Sequence, residues 1–411
     1  MQYNFEKLTL NLIILSLLAF IFFTLQINYY GSDHDTYAII YSFLSVVDYG
    51  EYSPSRTFGF PLAELIIGSL VYYIGPFTTK YITTFLFITS LFLFYHSFKK
   101  EKDDHLNFKL FLILCLSNSI LILDNINLTD YPIALFFLSL GFFLFSKKKF
   151  NLALLFFALC IASRLNFIAF VYLFYLFQTK FKSTEIIKFL KSLFIITIIG
   201  GIFYLPYLLK HNFSSELISK THTLGGLRFE TDQQLQFMLY EMASRFFYKI
   251  IKIFGVPSFI LIICGLIFIV VTNDYRKFLK KNIFEIIIII FNLFLFFLLP
   301  TKTSIISLVT IFSYIIIIKY FNKKILYTII FFNLLNYFIL IDFVKITYRY
   351  EEICLPKQAI SAELKLQLNV DESNYKKYIK NSKNNMICSA KELPIIYRDK
   401  FIKQIKLSTN D

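Results

Sequence analysis

Asp33, His34 and Asp35 lie within Gly31-Ser32-Asp33-His34-Asp35-Thr36-Tyr37, directly after an apolar run that covers residues 8–27. Two carboxylates one residue apart at the mouth of a membrane helix are costly to keep beside lipid, and ionisable groups there usually serve chemistry or transport. Such a pair can take a proton from a hydroxyl, or share Mg²⁺ or Mn²⁺ through carboxylate oxygens. His34 is a third ligand type, although a lone His beside acids more often faces water. Arg56 and Arg164 offer the complementary chemistry, paired N–H donors for a phosphate; the plainer alternatives are a headgroup contact and a helix end at the interface. Asp124 and Asp130 flank the segment 125–129. Asp130 has two readings, completion of a metal site with the first loop or, ahead of Tyr131-Pro132, capping of a helix. Glu64 either faces the site or stabilises the start of its own helix.

The elements that hold these residues are apolar. The chain has 411 residues, 57% hydrophobic and 19% aromatic, with only 17% charged, and a mean hydropathy of +0.62. A soluble domain would carry about a quarter charged residues. Apolar runs long enough for a hydrocarbon layer about 30 Å thick recur along the sequence. They predict an all-α polytopic membrane protein with about eleven crossings, near 8–28, 77–97, 107–124, 131–146, 150–163, 165–178, 187–208, 248–271, 283–300, 304–319 and 325–343. Runs 150–163 and 165–178 are short and read as a helical pair dipping into the membrane with Arg164 at its tip. The first run is too long for a signal-peptide core and reads as a retained helix.

The net charge of +15 sits in short clusters between apolar runs, such as Lys147-Lys148-Lys149 and Lys180 to Lys191. That is how topology determinants are distributed, so a nucleic-acid partner is not expected. With the N-terminus inside, every such cluster falls on the cytoplasmic side and residues 29–61, 209–247 and 344–411 face out. The chain divides into a transmembrane domain, 1–343, and an extracytoplasmic tail, 344–411, in which Cys354 and Cys388 can pair in an oxidising compartment. Cys115, Cys160 and Cys264 read as small core residues. The loop 209–247, with His211, His222 and Arg228, suits a mobile cover. Abundant Phe, Ile, Lys, Asn and Tyr without Trp resembles the output of an AT-rich genome, so the aromatic stripes carry no functional reading.

The first outer loop, 29–76, is more than a connection. Residues 38–47 form an apolar stretch too short to span and suited to the interface. A turn-rich polar stretch follows to Arg56, then Phe60-Pro61-Leu62 opens a second short helix that Gly75-Pro76 ends. This order resembles the GT-C glycosyltransferases, in the branch that includes protein mannosyltransferases and aminoarabinose transferases. The matching pieces are Asp33-His34-Asp35-Thr36-Tyr37-Ala38, Gly50-Glu51-Tyr52, Arg56-Thr57-Phe58-Gly59-Phe60-Pro61-Leu62 and Tyr73-Ile74-Gly75-Pro76. The segment from Asn151 to Leu165 also looks like that family's short helical pair with a basic tip. The stronger resemblance covers about the first 180 residues; many members have two adjacent acids where this chain has Asp-His-Asp.

The resemblance implies an inverting transfer of a sugar from a polyprenyl-phosphate donor to a lipid-linked glycan, a lipid A core or a surface polymer. The reaction would take place on the outer face of a bacterial inner membrane. It makes Asp33 the general base, and gives Asp35 either a divalent cation to hold or the acceptor to orient. Arg56, Arg164 and Lys302, the last in a tight outer turn, are the donor-phosphate residues it implies; Glu64 and Tyr37 are acceptor or positioning residues; Asp35 and Asp130 would hold any Mg²⁺ or Mn²⁺. Two other classes fit the hydropathy: an O-antigen-type polymerase, which would rest on arginines in two large outer loops, and a lipid-linked-sugar flippase or transporter, which would need ionisable residues in mid-membrane.

Overall fold

Apolar stretches with polar punctuation fold as helices, in which each segment satisfies its own backbone hydrogen bonds. The computed structural model describes residues 10–21, 35–50, 52, 54, 55, 59–98, 105–178, 183–210, 235–272, 275–298, 306–337, 339–341, 346–348, 355–356 and 386–387. Helix α1 (Leu10–Ile21) is followed by α2 (Asp35–Tyr49), α3 (Pro61–Phe98), α4 (His105–Ser117), α5 (Ser119–Ile126), α6 (Asp130–Ser146) and α7 (Phe150–Ser163). A 3₁₀ turn, Leu165–Phe167, leads into α8 (Ile168–Gln178), then α9 (Ser183–Ile202) and α10 (Leu205–Lys210). The last helices are α11 (Leu235–Phe254), α12 (Val256–Thr272), α13 (Tyr275–Leu298), α14 (Ser307–Tyr320) and α15 (Lys323–Leu335).

The protein is helical, as expected, with one addition. The described tail residues form two small antiparallel pairs, β1 (Ile339–Ile341) with β2 (Ile346–Tyr348) and β3 (Leu355–Pro356) with β4 (Met386–Ile387). Among the described residues, one helix, α3, is long and apolar enough to cross a membrane, and up to three spans result if each of two bent pairs counts as one. Several expected crossings are therefore not straight spans. The run 107–124 breaks at Asn118, where α4 and α5 meet at 74°, and the run 248–271 breaks at Gly255, where α11 and α12 meet at 95°. The run 325–343 is helical only to Leu335.

Each break has a polar cause. Asn118 caps α5 by accepting from the Leu121 amide at 2.9 Å while its Nδ2 donates to the Tyr314 hydroxyl. Asn333 donates to the same hydroxyl at 3.0 Å, and Ser119 donates to the Asn336 carbonyl. Asn336 in turn donates to the Phe254 carbonyl at 2.9 Å, beside Gly255. Gly255 has φ +70, and a Cβ there would stand 2.4 Å from Asn336 Nδ2, so only glycine fits the turn. Orphan backbone groups at buried helix ends need such partners, and this network of asparagines supplies them.

The expected helix break at Gly75-Pro76 is present: Gly75 has φ 85 and ψ 161 inside α3, where Pro76 lacks an amide and disfavours helix at the residue before it. Helices α6 and α7 form an antiparallel hairpin, closed by Lys147-Lys148-Lys149, with Lys148 at φ 60. Helix α8 returns toward that turn, so that Tyr175 meets Phe145 at 5.3 Å between ring centroids. The hairpin, α3, α4 and α14 share an aromatic core in which Phe87, Phe94, Phe111, Phe142, Phe157 and Phe312 are fully buried. Edge-to-face contacts such as Phe94–Phe312 at 5.8 Å hold it together. Cys115 and Cys160 are buried as expected, whereas Cys264 is exposed; Cys354 and Cys388 lie outside the described residues.

Candidate functional site

Three of the residues singled out by type converge at the open end of the α6–α7 hairpin. Asp130 is the first residue of α6 and Arg164 follows the last residue of α7, so the antiparallel hairpin sets them side by side. Arg164 Nη1 donates to Asp130 Oδ2 as an ion pair, and Nη2 donates to the Tyr131 hydroxyl. The guanidinium also lies over the Tyr131 ring, 3.7 Å from its centroid, and 5.0 Å from the centroid of Phe60. Both charged side chains are nearly dry, at 10% and 5% exposure. A buried charge is tolerable only when paired and hydrogen-bonded, and here the carboxylate, the phenol and two aromatic faces do that for Arg164.

This arrangement revises the capping expectation. Asp130 does not cap α6, whose cap is Thr129 without a side-chain bond. Its carboxylate is directed to Arg164, which compensates its charge. Among the described residues no three His, Cys, Asp or Glu side chains gather into a metal-binding group. The segment 125–130, between the expected crossings 107–124 and 131–146, is buried: Asn125, Asn127, Thr129 and Asp130 are all at or below 5% exposure. Among the described residues Asn125 Oδ1 and Thr129 Oγ1 have no hydrogen-bond partner.

Glu64 sits one turn into α3 and is fully buried. Its carboxylate accepts from the Tyr52 hydroxyl, the Ser55 hydroxyl, the Ser55 amide at 3.1 Å and the Phe60 amide at 3.0 Å. Every partner is a donor, which is the arrangement an ionised, acceptor-only carboxylate satisfies. Burial, then the charge of Glu64 beside it, push the Tyr52 phenol well above its ordinary range, so it remains a donor. Glu64 therefore positions the segment that leads into α3: it holds the chain on both sides of Arg56, at Ser55 and at Phe60. No oxygen of it is left facing an open site, so of its expected roles positioning is the one the contacts support. Gly59 is part of the same staple. It has φ +68, and a Cβ there would meet the Tyr52 hydroxyl at 2.3 Å and Pro54 Cβ at 2.7 Å.

Phe60 joins the two clusters, with its amide on Glu64 and its ring under Arg164. Tyr204, between α9 and α10, is within electrostatic reach of Glu64, Asp130 and Arg164, and donates to the Ile161 carbonyl at 2.9 Å. Tyr207, on α10, is within electrostatic reach of Tyr52. Residues from five separate stretches, 52–64, 130–131, 161–164, 204 and 207, thus make one polar cluster at a single end of an apolar bundle.

Asp33, His34, Arg56 and Lys302 lie outside the described residues. Asp35 begins α2 and Tyr37 follows within its first turn, but only their backbone is described. Tyr52, Ser55, Tyr131 and Tyr204 were given no role by the sequence. Their one sequence signal was proximity to an acid or to a Pro, which 28 tyrosines in the chain dilute. No protein-family model, curated protein or solved structure matches this chain.

Proposed function

We propose that this chain is a multi-pass membrane glycosyltransferase that moves a sugar from a polyprenyl-phosphate donor to a lipid-linked glycan, a lipid A core or a surface polymer. The bilayer is its medium, with the Asp33 end on the outer face of a bacterial inner membrane, the N-terminus inside and the tail outside. The observation that carries the reading is the buried Glu64–Asp130–Arg164 cluster, which ties down Tyr52, Ser55 and Phe60 in the stretch of sequence that follows the acidic motif. An apolar hairpin of 17-residue α6 spans about 25 Å at 1.5 Å per residue, with this cluster at one end and Lys147-Lys148-Lys149 at the other. Charge at both ends of an apolar slab of that length suits a protein immersed in lipid, lysines inward. Glu64, Asp130 and Arg164 gathered at one end of the hairpin favour chemistry at that surface, while Lys80 on α3 and the Glu285–Lys319 pair between α13 and α14 are buried elsewhere in the bundle.

In this reading Asp33 takes the proton of the acceptor hydroxyl as its oxygen bonds to the anomeric carbon. The bond from that carbon to the phosphate oxygen breaks, and polyprenyl phosphate leaves with the electron pair. Arg56 and Lys302 face the phosphate charge that grows on departure, and Asp35 and Tyr37, at the start of α2, orient the acceptor. Arg164, with its outer nitrogens engaged by Asp130 and Tyr131, acts chiefly by fixing the platform against which Phe60 and the loop rest. No step is assigned to a divalent cation.

The test is a transfer assay. Purified protein is incubated with a panel of radiolabelled polyprenyl-phosphate sugars and a membrane glycolipid extract, with and without EDTA. Transfer of label with release of polyprenyl phosphate supports the reading. Failure across the panel by well-folded protein, alongside ion-coupled uptake in vesicles, would replace it with transport.

A further inference from the structure

The end of the hairpin opposite the acidic cluster holds a second site of different character. A cavity of about 670 Å³ opens there between α6, α7, α8 and α9. Its floor and walls are apolar, from Phe145, Phe150, Leu154, Phe189 and Ile195, while Lys188, Lys191, Asn151 and Ser192 bring polar groups to it. Tyr175 also lines it; this side chain is 7% exposed, and its buried hydroxyl has no hydrogen-bond partner among the described residues. A buried phenol without a partner is costly in a finished core, and a ligand oxygen entering the cavity would relieve that cost. The triple-lysine turn lies immediately between Phe145 and Phe150, two of the lining residues.

We infer that this cavity binds the phosphate headgroup of an anionic membrane phospholipid, with the acyl chains continuing along the aromatic wall. The combination decides the ligand class. Lysines at the rim supply charge for a phosphodiester, the tyrosine hydroxyl and the Asn151 amide supply directed hydrogen bonds, and the apolar wall suits hydrocarbon rather than a soluble metabolite. Basic pockets between helices on the lysine-rich side of membrane proteins are suited to such headgroups. The volume is within the range of small-molecule sites. The inference does not depend on sugar transfer; it needs only that the helices lie in lipid.

Full-length protein in detergent would be titrated with phosphatidylglycerol or phosphatidylcholine and the retained lipid counted by native mass spectrometry, for wild type, Lys188→Gln/Lys191→Gln, Tyr175→Phe, and a control at the exposed Arg276, Arg276→Gln. Phosphatidylglycerol should be retained well over phosphatidylcholine, and the double lysine variant should lose about tenfold in affinity. Tyr175→Phe should weaken retention by about threefold, the loss of one hydrogen bond, and Arg276→Gln should leave it unchanged. Equal retention of the two lipids, or wild-type retention by both cavity variants, would overturn the inference. So would equal loss in the Arg276 control, which would mean general surface charge. Displacement of phosphatidylglycerol by millimolar inorganic phosphate would reassign the cavity to a soluble phosphate.

Discussion

Replacing Arg164 by Met, Asp130 by Asn, and both together measures whether the buried pair holds the α6–α7 hairpin to the first loop. In Arg164→Met the Asp130 carboxylate, at 5% exposure, is left without its counter-charge. Removing one member of a buried pair costs about 3–5 kcal/mol, because the other charge stays desolvated. Methionine retains contact with the rings of Tyr131 and Phe60 but forfeits two cation–π interactions worth about 0.5–2 kcal/mol each. Asp130→Asn keeps an oxygen to accept from Arg164, so its cost should fall below that range, at about 2–3 kcal/mol. In the double variant neither charge remains, and the total should fall well below the sum of the singles, with a coupling of at least about 1.5 kcal/mol. The chain has no Trp, so unfolding in mixed micelles of rising SDS fraction is best followed by far-ultraviolet circular dichroism. Additive single effects, or singles within about 0.5 kcal/mol of wild type, would refute the burial and pairing argument.

Other parts of the structure give separate outcomes. Glu64→Ala strands the Ser55 and Phe60 amides and should cost several kcal/mol at about 1–3 per orphaned donor, whereas Glu64→Gln keeps one acceptor oxygen and should cost about 1–2; equal stability of the two by the same unfolding measurement would contradict the staple. Gly59→Ala, with φ +68 and a Cβ driven into Tyr52 and Pro54, should raise proteolytic cleavage of the first loop severalfold, and unchanged protection would count against the turn. Tyr314→Phe removes the acceptor shared by Asn118 and Asn333; it should destabilise by about 1–3 kcal/mol and speed hydrogen exchange at the α4–α5 break, and wild-type exchange there would show that the network does not hold it.

What the sequence revealed follows what is local. The helix break at Gly75-Pro76, the short α2 stretch after the acidic motif and the lysine turn all depend on neighbours within a few residues, and hydropathy with proline chemistry exposes them. Glu64, Asp130 and Arg164 stood out because charge is conspicuous in apolar text. Their partners did not stand out. Arg164 meets Asp130 across 34 positions and Asn118 meets Tyr314 across 196, and only the packed bundle brings those pairs together. For the same reason 107–124 and 248–271 read as continuous crossings: an asparagine or a glycine in an apolar run signals a break only once its distant partner is known.

The claim at the centre of the account is that the acidic motif after the first helix performs sugar transfer on the platform built by Glu64, Asp130 and Arg164. Its most direct test is the turnover of polyprenyl-phosphate sugar by Asp33→Asn, measured beside its unfolding midpoint. Loss of a general base is expected to lower the rate by about 10²–10⁴-fold, with the unfolding midpoint unchanged. Full turnover by a folded Asp33→Asn protein would contradict the assignment of the base and, with it, the proposed reaction.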